Sequence, residues 1–221
     1  MNFLQKILTY LVVILIPVFL LMTSVRLLLF PVFTQLEYYR PGFPADPYGF
    51  TLQDRQKWSQ ISVDYLTNAA GIDFLANQKL DENTPLYNER ELSHMQDVKN
   101  LVQVMLIVWP LIGIFILCVG VVSMRSGWLA DFWLAVSRGG WTAVGLIAAI
   151  LIAVMVSFNA LFTGFHRIFF SGDTWLFLYS DSLIRLFPLM FWQDAFILMG
   201  AMVLIFGLAL GFFGRRQYLH S

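Results

Sequence analysis

The chain has 221 residues, of which 58% are hydrophobic and only 13% are charged, a balance that ordinary soluble domains do not have. Its 14 Lys and Arg equal its 14 Asp and Glu, so the net charge gives no reason to expect nucleic-acid binding. The single cysteine, Cys118, excludes an internal disulfide and a cysteine-based zinc module. We therefore expect one integral membrane domain that covers residues 1–221.

Four segments are apolar over the roughly 20 residues that a helix needs to cross a bilayer. They are residues 7–33, 101–122, 141–162 and 195–213. The sequence thus predicts an all-α membrane protein with four transmembrane helices. Between helices 1 and 2 we expect a small extracellular loop domain, residues 34–100. Between helices 3 and 4 we expect a second, amphipathic extracellular loop, residues 164–194.

Basic residues in the short flanks predict the orientation, because Lys and Arg resist translocation. The two predicted outer loops hold eight basic and thirteen acidic residues. The flanks on the other face hold five basic residues against one acidic residue: Lys6, Arg125, Arg138, Arg215 and Arg216 against Asp131. Both termini are therefore predicted to be cytoplasmic. The first span is too long for a signal peptide and no Ala-x-Ala site follows it, so we interpret it as an anchor.

The first outer loop contains a predicted helix of its own. Thr51 and Asp54 have the spacing of a capping box, which marks a helix start. Gly71 is the predicted stop of this helix. An apolar stripe of Trp58, Ile61 and Tyr65 predicts that one face packs against other parts of the protein. A further helix is predicted to begin near Asn88 and to run unbroken into the second span.

The second outer loop begins with a turn, Ser171-Gly-Asp-Thr-Trp175, and continues into a short amphipathic segment. Asp181 is the predicted cap of a helix in this segment, and Pro188 is its predicted stop. We expect this helix to lie on the leaflet or to dip into it, where it could wall a groove for a lipid tail.

Two of the three histidines occupy similar positions next to predicted spans. His94 lies seven residues before the second span, and His166 lies just after the third. At about 1.5 Å per residue, both imidazoles should lie at the level of the lipid esters of the outer leaflet. His220 is in the C-terminal tail, where a solvated residue is expected.

The imidazole pair suggests proton transfer, because histidine titrates near neutral pH and can both accept and donate protons. Asp97, on the same helical face as His94, is the candidate for orienting its ring. Arg167 and Arg26 are candidates for holding an ester carbonyl, a developing oxyanion or a lipid phosphate. A metal site built from His94, His166 and either Asp97 or Glu91 is the alternative use of the same residues. No serine elbow, zincin motif, Walker loop or dinucleotide fingerprint is present.

Two short segments resemble a known family. The segment from Glu91 to Leu101, with its pattern His-Met-x-Asp-Val-Lys, is one of them. The other is Phe165-His-Arg-Ile-Phe-Phe170, followed by Trp175 and by Leu183-Ile-Arg-Leu-Phe-Pro188. Together they resemble the lipoprotein intramolecular transacylases of the Lit type, four-span membrane enzymes of Gram-positive bacteria. The resemblance covers nearly the whole chain in span order and loop sizes.

The resemblance implies an acyl transfer within one substrate. The sn-2 acyl chain of a lipoprotein's diacylglyceryl-cysteine would move to the α-amine of the same cysteine and give the lyso-form lipoprotein. The family's two essential histidines fall on His94 and His166. The expected partners are this lipidated N-terminus and membrane lipid, with no nucleic acid, no obligate protein partner, no cofactor and no metal. Arg26, Trp175 and Arg185 are the residues that we expect to contact the substrate.

Two other functions remain open from the sequence. A metal-dependent membrane lipid hydrolase would use the same histidines, and elemental analysis of the purified protein would detect its zinc. A non-enzymatic membrane-anchored interaction protein would use the large outer loop to bind a partner, and it would tolerate replacement of both histidines. A transporter is disfavoured, because no span carries paired acidic residues or a broken repeat.

Overall fold

The computed structural model describes residues 1–221 and consists of eight α-helices with connecting turns. In chain order they are α1 (Phe3–Leu28), α2 (Pro31–Glu37), α3 (Leu52–Thr67), α4 (Asp73–Ala76), α5 (Glu89–Arg125), α6 (Leu129–Phe169), α7 (Ser182–Leu186) and α8 (Leu189–His220). Four of them, α1, α5, α6 and α8, are long and apolar enough to cross a membrane. The predicted all-α fold with four membrane-spanning helices is confirmed.

Two of the long apolar segments contain breaks that the hydropathy pattern does not show. Helix α1 ends at Leu28, and α2 begins at Pro31, a residue suited to the first position of a helix. Helix α6 is interrupted at Ser157, whose φ and ψ of −162° and 94° are extended. The Ser157 hydroxyl accepts a hydrogen bond of 3.3 Å from the Ala160 amide, as an N-cap does. The second part of α6 therefore starts as a new helix.

The helices of the first predicted loop follow their local signals. Thr51 is the N-cap of α3, and its capping box with Asp54 is present, as predicted. The helix ends at Thr67 rather than at Gly71, because Asn68 leaves the helical conformation. Helix α5 runs unbroken from Glu89 to Arg125, which confirms the predicted helix that continues into the second span.

The chain divides into two compact units. Unit 1 comprises Met1–Leu27, Leu106–Val156 and Phe196–Ser221, and unit 2 comprises Leu28–Met105 and Ser157–Ala195. The organisation of residues 1–221 as a single domain stays a prediction.

Unit 1 consists of the apolar parts of the long helices, packed through small residues and aliphatic side chains. Val12, Ile16 and Val203 are at most 3% exposed, whereas Ile14 and Leu117 on the outer surface are 62% and 70% exposed. Exposed aliphatic side chains of this kind suit a lipid solvent, which does not penalise apolar surface.

Unit 2 has its own core, which is partly polar. Its buried cluster consists of Trp58, Tyr65, Leu75, Leu86, Tyr87, Met95, Leu183 and Leu186. Charged side chains are buried beside this cluster. The Lys99 ammonium donates to Asn68 Oδ1 at 3.1 Å and to the Ala70 carbonyl at 2.6 Å, and it lies 4.0 Å from the Tyr65 ring centroid. Lys99 thereby holds the end of α3 against α5.

Candidate active site

Helices α5 and α6 each bring one histidine into the interior of unit 2. His94 lies in the second turn of α5, and His166 lies in the last turn of α6. Their ring centroids are 5.8 Å apart, with 24° between the ring planes, and each residue is only 8% exposed. The structure therefore brings together the two imidazoles that the sequence singled out, and it shields them from solvent.

Aromatic rings surround the histidine pair. Around His94, the Phe170 and Phe177 rings lie edge-on at centroid distances of 4.9 Å and 5.4 Å. Around His166, centroid distances are 4.1 Å to Phe162, 5.5 Å to Phe165, 5.5 Å to Phe170 and 4.9 Å to Trp175. We call these five rings, Phe162, Phe165, Phe170, Trp175 and Phe177, the aromatic wall. Such a wall keeps bulk water away from the imidazoles.

The hydrogen bond of His166 fixes the position of its proton. His166 Nδ1 lies 2.8 Å from the Phe162 carbonyl oxygen, one turn earlier on α6. Because a carbonyl oxygen can only accept, Nδ1 is the donor and carries the hydrogen. In the neutral ring Nε2 then has the free lone pair. His166 can therefore accept a proton at Nε2 without a change of tautomer.

His94 has a different environment. Its Nδ1 is buried and has no hydrogen-bond partner. A buried N–H without a partner is costlier and rarer than an acceptor without one, so we place the ring hydrogen of His94 on Nε2. In this form His94 offers an N–H donor, the complement of the lone pair on His166.

Asp97 does not make the predicted hydrogen bond to His94, because His94 Nδ1 has no partner. Asp97 instead lines a shallow cavity together with Glu89 and Ser93 of α5 and with Ile72 at the start of α4. The three-residue spacing on a helix brings two side chains near each other, but here His94 points inward and Asp97 does not. An orienting role of Asp97 has no hydrogen bond behind it.

Glu91 is a structural residue one turn before His94. It is 1% exposed, its Oε1 accepts a hydrogen bond of 2.7 Å from the Leu183 amide, and its Oε2 accepts one of 2.8 Å from the Asn88 amide. The Asn88 side chain in turn accepts from the Glu91 amide at 3.0 Å, which completes a capping box. One carboxylate thus holds the first turns of both α5 and α7, so Glu91 fixes the helix that carries His94.

Asp181 stands at the N-cap position of α7, as predicted, but its side chain makes no cap hydrogen bond. Its Oδ2 accepts from the Leu178 amide at 2.8 Å, and its Oδ1 accepts from the Asn88 side chain at 3.1 Å. The capping function belongs to Glu91, from a distant part of the chain. Local spacing could not show this, because the two residues are far apart in the sequence.

Trp175 and Arg167 lie differently relative to the histidine pair. Trp175 contacts the His166 ring, and its Nε1 donates to the Gly172 carbonyl at 3.2 Å. Gly172 has a φ of 72°, which glycine adopts without strain, and the resulting turn brings Trp175 back to His166.

Arg167 is exposed, and no hydrogen bond or ion pair joins it to either imidazole. Arg26 lies in the last turn of α1 and belongs to unit 1.

Arg185 has a structural partner in unit 2. Its guanidinium forms a salt bridge of 3.0 Å with Asp46, and the two side chains are 10% and 0% exposed. It also lies 3.4 Å from the Phe50 ring centroid. Burial alone would raise the pKa of Asp46, but hydrogen bonds from Arg185 and from the Phe50 amide lower that pKa below its usual value. A substrate contact by Arg185 stays a prediction, and its guanidinium is already taken up by Asp46.

The side chains of the chain do not gather into a metal-binding cluster. No group of three or more His, Cys, Asp or Glu side chains has a geometry that could hold a metal ion. Both carboxylate oxygens of Glu91 accept backbone hydrogen bonds instead. The two histidines therefore provide two imidazole rings inside a hydrophobic enclosure, without a third side chain placed to bind a metal ion.

Several residues of the site were not singled out as candidates in the sequence, although Phe170 ends one of the two segments that resemble the family. Phe162, Phe170 and Phe177 contact the imidazoles, but in a chain with 21 Phe residues an aromatic ring by itself is a weak signal. The spacing of Phe162 four residues before His166 was a usable indication, because such residues share a helix face. The Asn88-x-x-Glu91 pattern also marked a helix start, although its link to α7 is a tertiary contact.

The fold and the enclosed histidine pair define a multi-pass helical membrane protein with a buried imidazole site. The family model described as lipoprotein intramolecular transacylase Lit matches residues 10–192, and the chain therefore belongs to the Lit family.

Solved structures agree with this assignment at the level of the fold. The structure of the membrane integral lipoprotein intramolecular transacylase Lit from Bacillus cereus superimposes with a TM-score of 0.80 at 18% identity and covers 100% of both chains. A variant of that protein with a histidine replaced by arginine gives a TM-score of 0.70 at 17% identity, over 96% of this chain and 91% of the other. An uncharacterised protein of Aquifex aeolicus (strain VF5) is 26% identical over 95% of this chain and 94% of its own length.

Proposed function

We propose that this protein moves the sn-2 acyl chain of a lipoprotein's diacylglyceryl-cysteine to the α-amine of the same cysteine, which gives the lyso-form lipoprotein. The observation that carries the proposal is the pair of imidazoles, 5.8 Å apart and enclosed by aromatic rings, in a chain of the Lit family. An O-to-N acyl transfer needs a base for the amine, a donor for the ester oxygen and little competing water. The site has groups suited to each need.

The substrate itself supplies the nucleophile. The α-amine and the ester belong to one lipidated cysteine, so a site that holds both gains the rate advantage of an intramolecular reaction. This explains why a serine or cysteine nucleophile is not needed. Cys118, the one cysteine, lies in unit 1 on α5 and outside the histidine site.

His166 is the proposed base. The neutral amine attacks the ester carbonyl carbon, and the proton that its nitrogen loses goes to His166 Nε2. The C–O bond to glycerol then breaks, and the same proton passes from Nε2 to the departing glycerol oxygen. The hydrogen bond between Nδ1 and the Phe162 carbonyl keeps the ring in one tautomer through both transfers. An α-amine has a pKa of about 7.7–8.0, so a modest base suffices.

His94 is the proposed hydrogen-bond donor to the carbonyl oxygen. Two imidazolium rings 5.8 Å apart would repel each other, so the pair holds at most one extra proton. When His166 carries that proton, His94 stays neutral, with its hydrogen on Nε2. A neutral imidazole N–H that points at a developing oxyanion stabilises the tetrahedral intermediate without giving up its proton.

The aromatic wall favours attack by the amine over attack by water. Its five rings lie at centroid distances of 4.1 to 5.5 Å from the imidazoles and leave few polar groups that could hold a water molecule. Trp175, which contacts His166, is the proposed substrate contact on this wall.

In the same proposal both termini are cytoplasmic, and the histidine site acts at the outer leaflet of a bacterial cell membrane. Arg26, at the end of α1, and Arg167 are the weaker candidates for contact with the lipid headgroup.

The test uses purified protein in liposomes with a synthetic diacylglyceryl lipopeptide that has a free α-amine. Tandem mass spectrometry distinguishes the O-acyl from the N-acyl product, which have equal mass. His166→Ala should lower the rate of N-acylation by roughly 10²- to 10⁴-fold, the usual effect of losing one acid or base. His94→Ala should lower it by roughly 10²- to 10³-fold, the usual effect of losing one oxyanion donor. A wild-type rate in either variant would refute the proposed mechanism.

His220→Ala is the matched control. This histidine lies at the exposed C-terminal end of α8, so its replacement should leave the rate unchanged. Thermal unfolding of all three variants in detergent shows whether a loss of activity reflects a loss of folding. An N-acetylated lipopeptide provides the chemical control, because it lacks the nucleophile. Release of free fatty acid from it would indicate a hydrolase instead of a transacylase.

A further inference from the structure

Helix α2 has the reverse of the polarity expected for a helix that is packed on a protein in water. Its polar residues Thr34 and Glu37 are only 2% and 8% exposed, whereas Val32 and Leu36 are 62% and 65% exposed. A helix on a soluble protein turns its apolar stripe toward the core and its polar face toward the solvent. Gln35 is also exposed and lies at the edge of this surface. The exposed Val32 and Leu36, opposite two buried polar residues, indicate that an apolar medium faces this part of α2.

The exposed apolar residues form one continuous stripe. Val32, Leu36 and Tyr39 are spaced by four and then three residues, so they follow the same face of a helix. The helical turn continues to Tyr39, whose amide donates to the Leu36 carbonyl at 3.0 Å. Tyr39 is 65% exposed, and a tyrosine has both an apolar ring and a polar tip, as residues at a membrane surface often do.

The opposite face of α2 is fixed by specific contacts. The Tyr38 hydroxyl donates to the Leu186 carbonyl at 2.7 Å, and the Phe33 ring lies 5.2 Å from the Phe191 ring. The Glu37 carboxyl faces the Asp194 carboxylate, which pairs with Arg40 at 3.0 Å. These contacts hold the polar face inward, so α2 cannot roll over and bury its apolar stripe within the protein.

The position of α2 in the chain indicates what covers the stripe. Helix α1, a membrane-spanning candidate, ends at Leu28, and α2 begins at Pro31. Three residues extend at most about 11 Å, so α2 starts close to the end of a span. We propose that the stripe of Val32, Leu36 and Tyr39 lies among the acyl chains of the leaflet next to the carboxyl end of α1, with bilayer lipid as its partner.

A second copy of the chain is a poorer occupant. The stripe consists of three side chains on and next to a helix of seven residues. A stable protein interface buries about 800 Å² on each partner, which is far more than three side chains can provide. Lipid needs no such area, because it covers apolar surface of any size.

The experiment measures which medium surrounds residue 36. Leu36→Cys is made in a background with Cys118→Ala, labelled with a nitroxide and reconstituted into phosphatidylcholine liposomes. The collision rate of the label with oxygen, which enters lipid, is compared with its collision rate with a nickel chelate, which stays in water. Ile14→Cys, on the exposed face of α1, is the lipid reference, and Glu82→Cys, in an exposed acidic turn, is the water reference.

The ratio of oxygen to nickel collisions at position 36 should be several times that of the Glu82 reference and close to that of the Ile14 reference. A ratio equal to that of the Glu82 reference overturns the proposal. Spectral broadening that disappears on dilution with unlabelled protein also overturns it, because it would show a second copy on the stripe. Val32→Cys, on the same face, provides an independent reading if the label at position 36 disturbs folding.

Discussion

Units 1 and 2 are held together by different kinds of interaction. In unit 1, helices approach through glycines: a Cβ on Gly140 would lie 2.6 Å from the Gly207 oxygen and 2.6 Å from the Gly211 nitrogen. In unit 2, buried charged residues such as Glu91, Lys99 and Arg185 join segments that are distant in the sequence. Lipid offers no hydrophobic force between helices, so close fit dominates in unit 1, whereas specific polar contacts determine the arrangement of unit 2.

The sharpest test of the polar packing of unit 2 is to break its buried ion pair. Asp46→Ala leaves the Arg185 guanidinium buried without its partner, which should lower the free energy of unfolding by about 3–5 kcal/mol. Thermal unfolding in detergent measures the change. Asp64→Ala, at an exposed position on α3, is the control and should change stability by less than about 0.5 kcal/mol. Equal effects of the two substitutions would remove the contrast between the units.

The same pair predicts a dependence on pH. The folded-state pKa of Asp46 is lowered, so this carboxylate stabilises the fold at pH values above its unfolded pKa. That contribution is lost as the pH falls through the folded-state pKa. Asp46→Ala should therefore be less sensitive to acid than the wild type.

The close packing of unit 1 is tested by Gly140→Ala. The new methyl group would meet backbone atoms of α8 that cannot move aside, so the helices must separate, at a cost of about 1–3 kcal/mol. Gly145→Ala on the same helix is the matched control, because no atom lies within 4 Å of its added Cβ. The control should be neutral or slightly stabilising, since alanine favours helix over glycine. A stable Gly140→Ala variant would contradict the account of unit 1.

Glu37 gives a smaller effect that depends on pH. Burial, together with the nearby Asp194 carboxylate, raises the pKa of Glu37 from 4.5 to about 7. Between these values the folded protein holds a proton that the unfolded chain has lost, so stability should fall as the pH rises. Glu37→Gln removes this loss and should be more stable than the wild type at pH 8 by on the order of 2 kcal/mol. Thermal midpoints at pH 5 and pH 8 measure the difference.

Glu82→Gln, in an exposed turn, is the control for this pH effect and should follow the wild type at both pH values. If Glu37→Gln also loses stability in parallel with the wild type between pH 5 and pH 8, Glu37 does not hold the proton.

The smallest effect is expected for a hydrogen bond within unit 1. The Ser137 hydroxyl donates to the Gly211 carbonyl at 2.8 Å across two helices. Such bonds between membrane helices contribute about 0.6 kcal/mol on average, so Ser137→Ala should lower stability only slightly. Thr142→Ala, which removes an exposed hydrogen bond within one helix, is the control and should have no measurable effect. A loss comparable to that of Asp46→Ala would show that polar contacts dominate in both units.

The contrast between the units also decides what could be predicted from the sequence. The four spans were predictable because hydropathy reports the solvent of each segment directly, and the capping box at Thr51 was predictable because it is local. The break at Leu28 was not, because the apolar run continues into α2. Span depth placed His94 and His166 at a similar level, and the structure places their rings side by side.

The partners of the histidines were harder to predict. Spacing suggested Asp97, but the helix turns His94 inward to Phe170 and Phe177. The hydrogen bond from His166 to the Phe162 carbonyl involves a backbone atom, which no residue pattern reveals. The cap that Glu91 provides for α7 depends on a tertiary contact and therefore needs the folded chain.

The bond between Glu91 and the Leu183 amide joins residues that are 92 positions apart. During synthesis, the segment with Glu91 and His94 leaves the ribosome well before α7 exists. The contact between Glu91 and α7 can therefore form only after the third long helix, α6, and the turn that follows it have been translated. His166 and then Leu183 follow, so a chain truncated before α7 contains both histidines but lacks the amide that binds the Glu91 carboxylate.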